Sequence, residues 1–152
     1  MTARFARCQT TSVSFSGMTK PIIQGVQFDT SAKELYDLYM DPKRHAAFTG
    51  GPVKISPKPG SKFEAFGKML WGSTIATIPG KLIVQRWRSM NFKETDPDSI
   101  LTLTFSQDGK RGRIDMVHIN VPEQDHAGVT KGWKKYYWGP IGEYLKKKEI
   151  GK

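Results

Sequence analysis

GWKKYYWGPIGEYL, residues Gly132 to Leu145, crowds Trp133, Tyr136, Tyr137, Trp138, Ile141, Tyr144 and Leu145 into one short stretch. Val129, Trp133, Tyr137, Ile141 and Tyr144 recur at steps of three or four, which sets them on one face of a long amphipathic helix from Asp125 to Lys148. Lys131, Lys134, Lys135, Lys146, Lys147 and Lys148 fall mostly on other faces, and cations in the last turn suit the negative end of the helix dipole. Pro140 interrupts the pattern and removes a backbone donor, which predicts a kink or local break near Tyr136. So much aromatic surface needs a large apolar surface to cover it. The residues upstream must supply one.

Moving upstream from the helix, Arg113 to Val121 reads as a strand stopped by Pro122. Gln107-Asp108-Gly109-Lys110 is a hairpin signal joining it to Ile100 to Ser106, where Leu101, Leu103 and Phe105 alternate with Ile100, Thr102 and Thr104. Lys81 to Arg88 and Met69 to Thr77 are two more strands joined by a turn at Pro79-Gly80, with Gly72 a weak point in the earlier one. Ser61 to Gly67 and Val53 to Ile55 flank a turn at Pro57-Lys58-Pro59-Gly60. Lys20 to Phe28 is the first strand. After it, Ser31 with Glu34 fits a capping box, and Leu35, Leu38 and Tyr39 give a short helix its apolar face. Pro42 opens a second short helix that ends at Gly50-Gly51. This order predicts an α+β fold. A curved antiparallel sheet of about six to seven strands grips the long C-terminal helix, and two short helices follow the first strand.

At 152 residues the chain is long enough for one domain with a real core. Residues 1–17 stand apart, with Arg4, Arg7, no acid and many Ser and Thr. That composition fits an organelle transit peptide, and equally an upstream start ahead of Met18 or a disordered tail. The segment is set outside the fold, and a single domain is expected over residues 18–152. Cys8 is the only cysteine, which excludes an intramolecular disulfide framework and a cysteine-based zinc site. No apolar run approaches spanning length, so a soluble, cytoplasmic protein is expected, with an organelle as the alternative. The net charge of +10 fits an acidic partner, whether nucleic acid, an anionic surface or a protein, or else a merely solubilising surface.

The strand and turn PGKLIVQRWRS reaching Trp87-Arg88, the final strand ending HINVP at His118 to Pro122, and GWKKYYWGPIGEYL together resemble a known family. They resemble the START-like (SRPBCC, helix-grip) superfamily and, within it, the C-terminal domain of the activator of the heat-shock-protein-90 ATPase, over about residues 20–148. The resemblance implies the helix-grip fold and a co-chaperone-like or protein-binding role toward a generally acidic heat-shock-protein-90-type chaperone. The eukaryotic co-chaperone has a separate N-terminal domain bearing much of its chaperone contact, and this chain is too short to contain that domain. Wider relatives hold lipids, hormones or polyketides between sheet and helix, which makes carriage of a small apolar ligand the alternative.

If the sheet grips the helix, alternate strand residues line its concave face. Phe63, Trp87, Phe105, Ile114, Met116 and His118 would then face Trp133, Tyr137 and Ile141. These either enclose an apolar ligand, with tyrosine hydroxyls and His118 as its polar groups, or pack on one another as a filled core. Lys131, Lys134, Lys135, Lys146, Lys147 and Lys148 are the candidates for contacting a partner. Asp115 and His118 lie three apart on a strand and so point to opposite faces, which argues against acid–base work. Asp37, Asp41 and His45 read as a surface polar cluster, and neither His45 nor His126 has a carboxylate at ligand spacing. No G-x-S-x-G, P-loop, Rossmann glycine set, zinc motif or nucleic-acid motif is present. The expectation is a non-enzymatic domain without metal or cofactor, and not a nucleic-acid binder.

Overall fold

The computed structural model describes residues 19–150, so the readings of residues 1–17 and of Met18 lie outside the described residues. Six strands are present among the described residues: β1 (Ile22–Phe28), β2 (Lys62–Ala65), β3 (Leu70–Ile78), β4 (Leu82–Ser89), β5 (Ser99–Asp108) and β6 (Arg111–Ile119). They form one antiparallel sheet in the order β1-β6-β5-β4-β3-β2. The stretch around Val53 and Ile55 forms no strand, only a single bridge between Lys54 and Glu64. The β5–β6 hairpin turns at Gly109 and Lys110, with Gly109 at φ 60° in the left-handed region that glycine adopts at little cost.

Period-two patterning decides which face is covered. Ile83, Gln85, Trp87 and Ser89 of β4 are buried, as are Ser99, Leu101, Leu103 and Phe105 of β5 and Ile114, Met116 and His118 of β6. Register aligns them in rows such as Ile83–Leu103–Met116 and Gln85–Leu101–His118. Gly72 is more than a weak point in β3. A Cβ there would stand 1.9 Å from the Arg86 carbonyl oxygen and 2.8 Å from a Phe63 ring carbon. Its absence lets Phe63 and Trp87 flank position 72 across neighbouring strands.

Between β1 and β2 run α1 (Ala32–Met40) and α2 (Pro42–Thr49). Ser31 Oγ accepts from the Glu34 amide, and Asp41 caps α2 by accepting from the Lys43 and Arg44 amides. Pro42 fits the first turn of α2 because no partner is required there. Buried Leu35, Leu38 and Tyr39 mark the inward side of α1, which packs on β5 and β6, while α2 packs on the C-terminal helix.

That helix is continuous from Glu123 but not uniform. It comprises α3 (Glu123–Gly132), a π-helical segment at Trp133–Trp138, and α4 (Gly139–Ile150). The interruption expected near Tyr136 therefore takes the form of a π segment. Pro140 has no N–H to offer the Tyr136 carbonyl, and the Gly139 N–H bonds back to the Lys134 carbonyl, five residues earlier. The wider turn also changes which residues face inward. In a regular α-helix, residues five apart point about 140° from each other. Here Trp133 and Trp138 stack with ring centroids 5.4 Å apart, both buried. Trp138 Nε1 donates to Gln24 Oε1 at 2.7 Å, and Gln24 Nε2 donates to the Thr130 carbonyl at 3.0 Å, tying helix to β1.

Candidate functional site

The π segment drives its aromatic rings into the sheet, and α3 just before it does not. Gly128 and Gly132, four apart on α3, share one face and present no side chain there. A Cβ at Gly132 would meet nothing closer than 3.6 Å, and one at Gly128 nothing closer than 3.4 Å. Opposite them β4 ends in the small Ser89. The result is a cavity of about 450 Å³ between α3, the π segment and the β3–β4 end of the sheet. Its size falls in the range of small-molecule sites. Trp87, Val129, Trp133 and Tyr137 make its buried floor, while Met69, Met90 and Tyr136, 51%, 60% and 47% exposed, stand at its mouth.

The β2–β3 turn forms one side of the mouth. Phe66, Gly67 and Lys68 sit at φ 53°, 60° and 72° in succession, a left-handed conformation that is costly for the two non-glycine residues. It places the Phe66 ring edge-on against Tyr136 and Tyr137, at 5.6 and 6.1 Å between centroids.

Polar groups gather at the opposite end. Asp125, in the first turn of α3, is 6% exposed and forms part of the wall. Its Oδ2 accepts from Ser89 Oγ at 2.5 Å, and its Oδ1 accepts from Asn91 Nδ2 at 3.1 Å. Ser89 Oγ in turn accepts from the Asn91 amide at 3.1 Å. The wall otherwise carries no charged side chain among the described residues.

Behind the floor, two histidines are locked in single tautomers. Trp133 Nε1 donates to His118 Nδ1 at 3.2 Å, so His118 carries its proton on Nε2 and donates to Ser99 Oγ at 2.8 Å. Ser99 Oγ donates onward to the Trp87 carbonyl at 2.7 Å. Burial, with His126 as a minor contributor, pushes the His118 imidazole down to about 3. His45 Nδ1 donates to the Tyr39 carbonyl at 2.7 Å, and its Nε2 accepts from the Tyr137 hydroxyl at 3.1 Å. Burial pushes His45 down to about 4, against the opposing pull of the Tyr39 carbonyl. His45 is thus a buried element of the core rather than part of a surface cluster with Asp37 and Asp41, because α2 turns its ring inward onto Phe48 and Tyr137. Burial also pushes the Tyr39 and Tyr137 hydroxyls up, so both remain protonated donors.

Of the nine inward residues named from the sequence, Trp87, Trp133 and Tyr137 line the cavity. Phe63, Phe105, Ile114, Met116, His118 and Ile141 are buried in the packed core and do not line it. The six lysines are all exposed and form two groups. Lys131 and Lys134 border a shallow groove beside β1, and Lys135 Nζ lies 5.2 Å from the centre of the Tyr136 ring. Lys146, Lys147 and Lys148 begin about 17 Å further along the helix, and Lys148 pairs with Glu34 at 2.8 Å. Sequence reasoning missed Asp125, Ser89, Asn91, Met69, Met90 and the glycine pair. The four-residue spacing of Gly128 and Gly132 was the available sign of a gap.

The family described as Activator of Hsp90 ATPase homolog 1-like protein matches residues 29–146. The chain is 30% identical over 118 residues to the activator of 90 kDa heat shock protein ATPase homolog of Dictyostelium discoideum, covering 77% of this chain and 30% of that protein. It is 29% identical over 114 residues to activator of 90 kDa heat shock protein ATPase homolog 1 of Homo sapiens, covering 75% and 33% respectively. The chain therefore spans about a third of the length of the curated relatives it matches. In fold it is similar to the crystal structure of an HSP90 activator from Plasmodium falciparum, at TM-score 0.76 and 18% identity over 84% of this chain and 97% of that one. With a six-stranded antiparallel sheet gripping a long C-terminal helix, and a family match running from before α1 into α4, the chain belongs to the Activator of Hsp90 ATPase homolog 1-like family within the START-like fold.

Proposed function

We propose that the domain is a non-enzymatic binding module of co-chaperone type that engages a 90-kDa heat shock protein. The observation that carries this reading is the likeness, over more than a hundred residues, to proteins named as activators of that chaperone's ATPase. Both buried histidines have both ring nitrogens engaged within the core, which leaves neither available as a general acid or base. The exposed lysines of the helix give an acidic partner its contact, and screening makes that contact salt-sensitive. Calorimetry against a purified 90-kDa heat shock protein at low salt is expected to register weak binding that fades above physiological ionic strength. Absence of both heat and ATPase stimulation at low salt would remove the proposal.

A second reading is favoured by one specific observation, the cavity of about 450 Å³ with an aromatic floor and an open mouth. In this reading the domain carries a small, mainly apolar ligand between α3 and the sheet. An apolar fluorescent dye is expected to bind at one saturable site and to raise the melting temperature by mass action. Unsaturable dye uptake with no thermal shift would count against it.

A further inference from the structure

We propose that the cavity selects a cationic amphiphile, an amine with an apolar body, whose ammonium group pairs with Asp125. The proposal rests on the ligand-carrying reading above and adds the chemical class of the ligand. Asp125 is buried in the cavity wall, yet no lysine, arginine or histidine forms an ion pair with it among the described residues. That is unusual in a chain with 24 Lys and Arg against 14 Asp and Glu. A less buried carboxylate, Glu34, pairs with both Arg44 and Lys148. A buried carboxylate without a cation is costly, and hydrogen bonds offset only part of that cost.

The donors around Asp125 leave room for one more. Ser89 and Asn91 each give one hydrogen bond, to different oxygens, whereas a carboxylate offers about four acceptor positions. The start of α3 contributes a favourable dipole but no mobile counter-charge. An ammonium entering from the mouth would bring the missing cation, and its apolar body would lie on Trp87, Trp133 and Tyr137, whose ring faces also attract cations. The surface and the cavity then have opposite preferences. A net charge of +10 draws anions to the outside, while the lone carboxylate within turns anionic amphiphiles away.

The test is calorimetric titration with n-decylamine, n-decanol and n-decanoate, below their micelle-forming concentrations, on the unmodified protein and on Asp125→Asn. Asparagine keeps an acceptor for Ser89 and removes the charge. The unmodified protein is expected to bind decylamine at one site at least about tenfold more tightly than decanoate, as losing a buried charge pair requires. In Asp125→Asn that preference is expected to disappear while decanol binds as before. Equal binding of all three by the unmodified protein would overturn the role of Asp125 and leave the cavity as a neutral apolar site. Binding of none would overturn the ligand-carrying reading together with this one. Decylamine preference persisting in Asp125→Asn would place the amine elsewhere and overturn the assignment. Should Asp125→Asn fail to fold, Gly132→Leu keeps the carboxylate and fills the cavity. Loss of decylamine binding in that variant supports the site, and retention refutes it.

Discussion

The two halves of the C-terminal helix meet the same sheet differently. The π segment and α4 fill their half with Trp138, Ile141 and the rings around Tyr137, backed by His45 and Phe48 from α2. Beneath α3, Gly128 and Gly132 face Ser89 across open space, and Asp125 closes the end. The aromatic wealth of the helix does not predict this division. Each ring fills the volume around its own turn and cannot reach two turns back. A cavity is set by where side chains are missing, so a filled core and a pocket coexist in one interface.

The comparison breaks most severely at Trp133, which serves both halves as cavity floor and as donor to His118. Trp133→Ala is expected to cost about 3–5 kcal/mol in urea unfolding. A loss below about 1 kcal/mol would mean that the two halves do not share this ring. Acid should act on the filled half next. His45 and His118 stay neutral in the folded protein, at about 4 and about 3, whereas both take up protons in the unfolded chain below about pH 6.5. Their contribution is full above pH 6.5 and is lost as pH falls toward those folded values, by roughly 2 kcal/mol for each histidine between pH 7 and 5. A urea midpoint unchanged over that interval would show that neither ring is held neutral by burial, and half the expected change would single out one of them. Met116→Trp, in the packed rows of the sheet, is expected to overpack and cost about 1–3 kcal/mol while leaving dye binding intact. Gly132→Leu inverts that pattern. The backbone at Gly132 is already helical, at φ −63° and ψ −34°, so a side chain gains helix propensity of up to about 1 kcal/mol. Stability should hold or rise slightly in thermal melts, while dye binding is lost. If Gly132→Leu unfolds the protein, α3 is packed more closely than its glycines imply.

Much of this architecture can be read from the residues. Alternation in Ile100 to Ser106, the Asp108-Gly109 hairpin and the Ser31–Glu34 cap each encode one local conformation, and the structure contains all three. The helix face traced by Val129, Trp133, Tyr137 and Ile141 is buried as its spacing requires. What stayed hidden depends on long-range partners. His45 looks like a surface residue until α2 folds against Tyr137, ninety-two positions away. Asp125 looks like an ordinary first-turn acid until Ser89 and Asn91 arrive from the β4–β5 side. Trp138 stands about 140° from Trp133 on a regular α-helix, and their stacking reflects the wide turn of the π segment.

That π segment also sets how the domain can change length. One extra residue in a helix turns everything after it by about 100°, and the wide turn at Trp133–Trp138 holds such a residue without breaking the helix. Downstream of it, Ile141 is buried and Lys148 reaches Glu34 on α1 with that rotation built in. The helix therefore has a reading frame. Substitutions along it are judged one at a time by what each side chain touches. A one-residue deletion between Trp133 and Trp138 would instead close the turn to a regular α-helix and leave α4 in its present frame, whereas the same deletion inside α4 would turn every residue beyond it by about 100°.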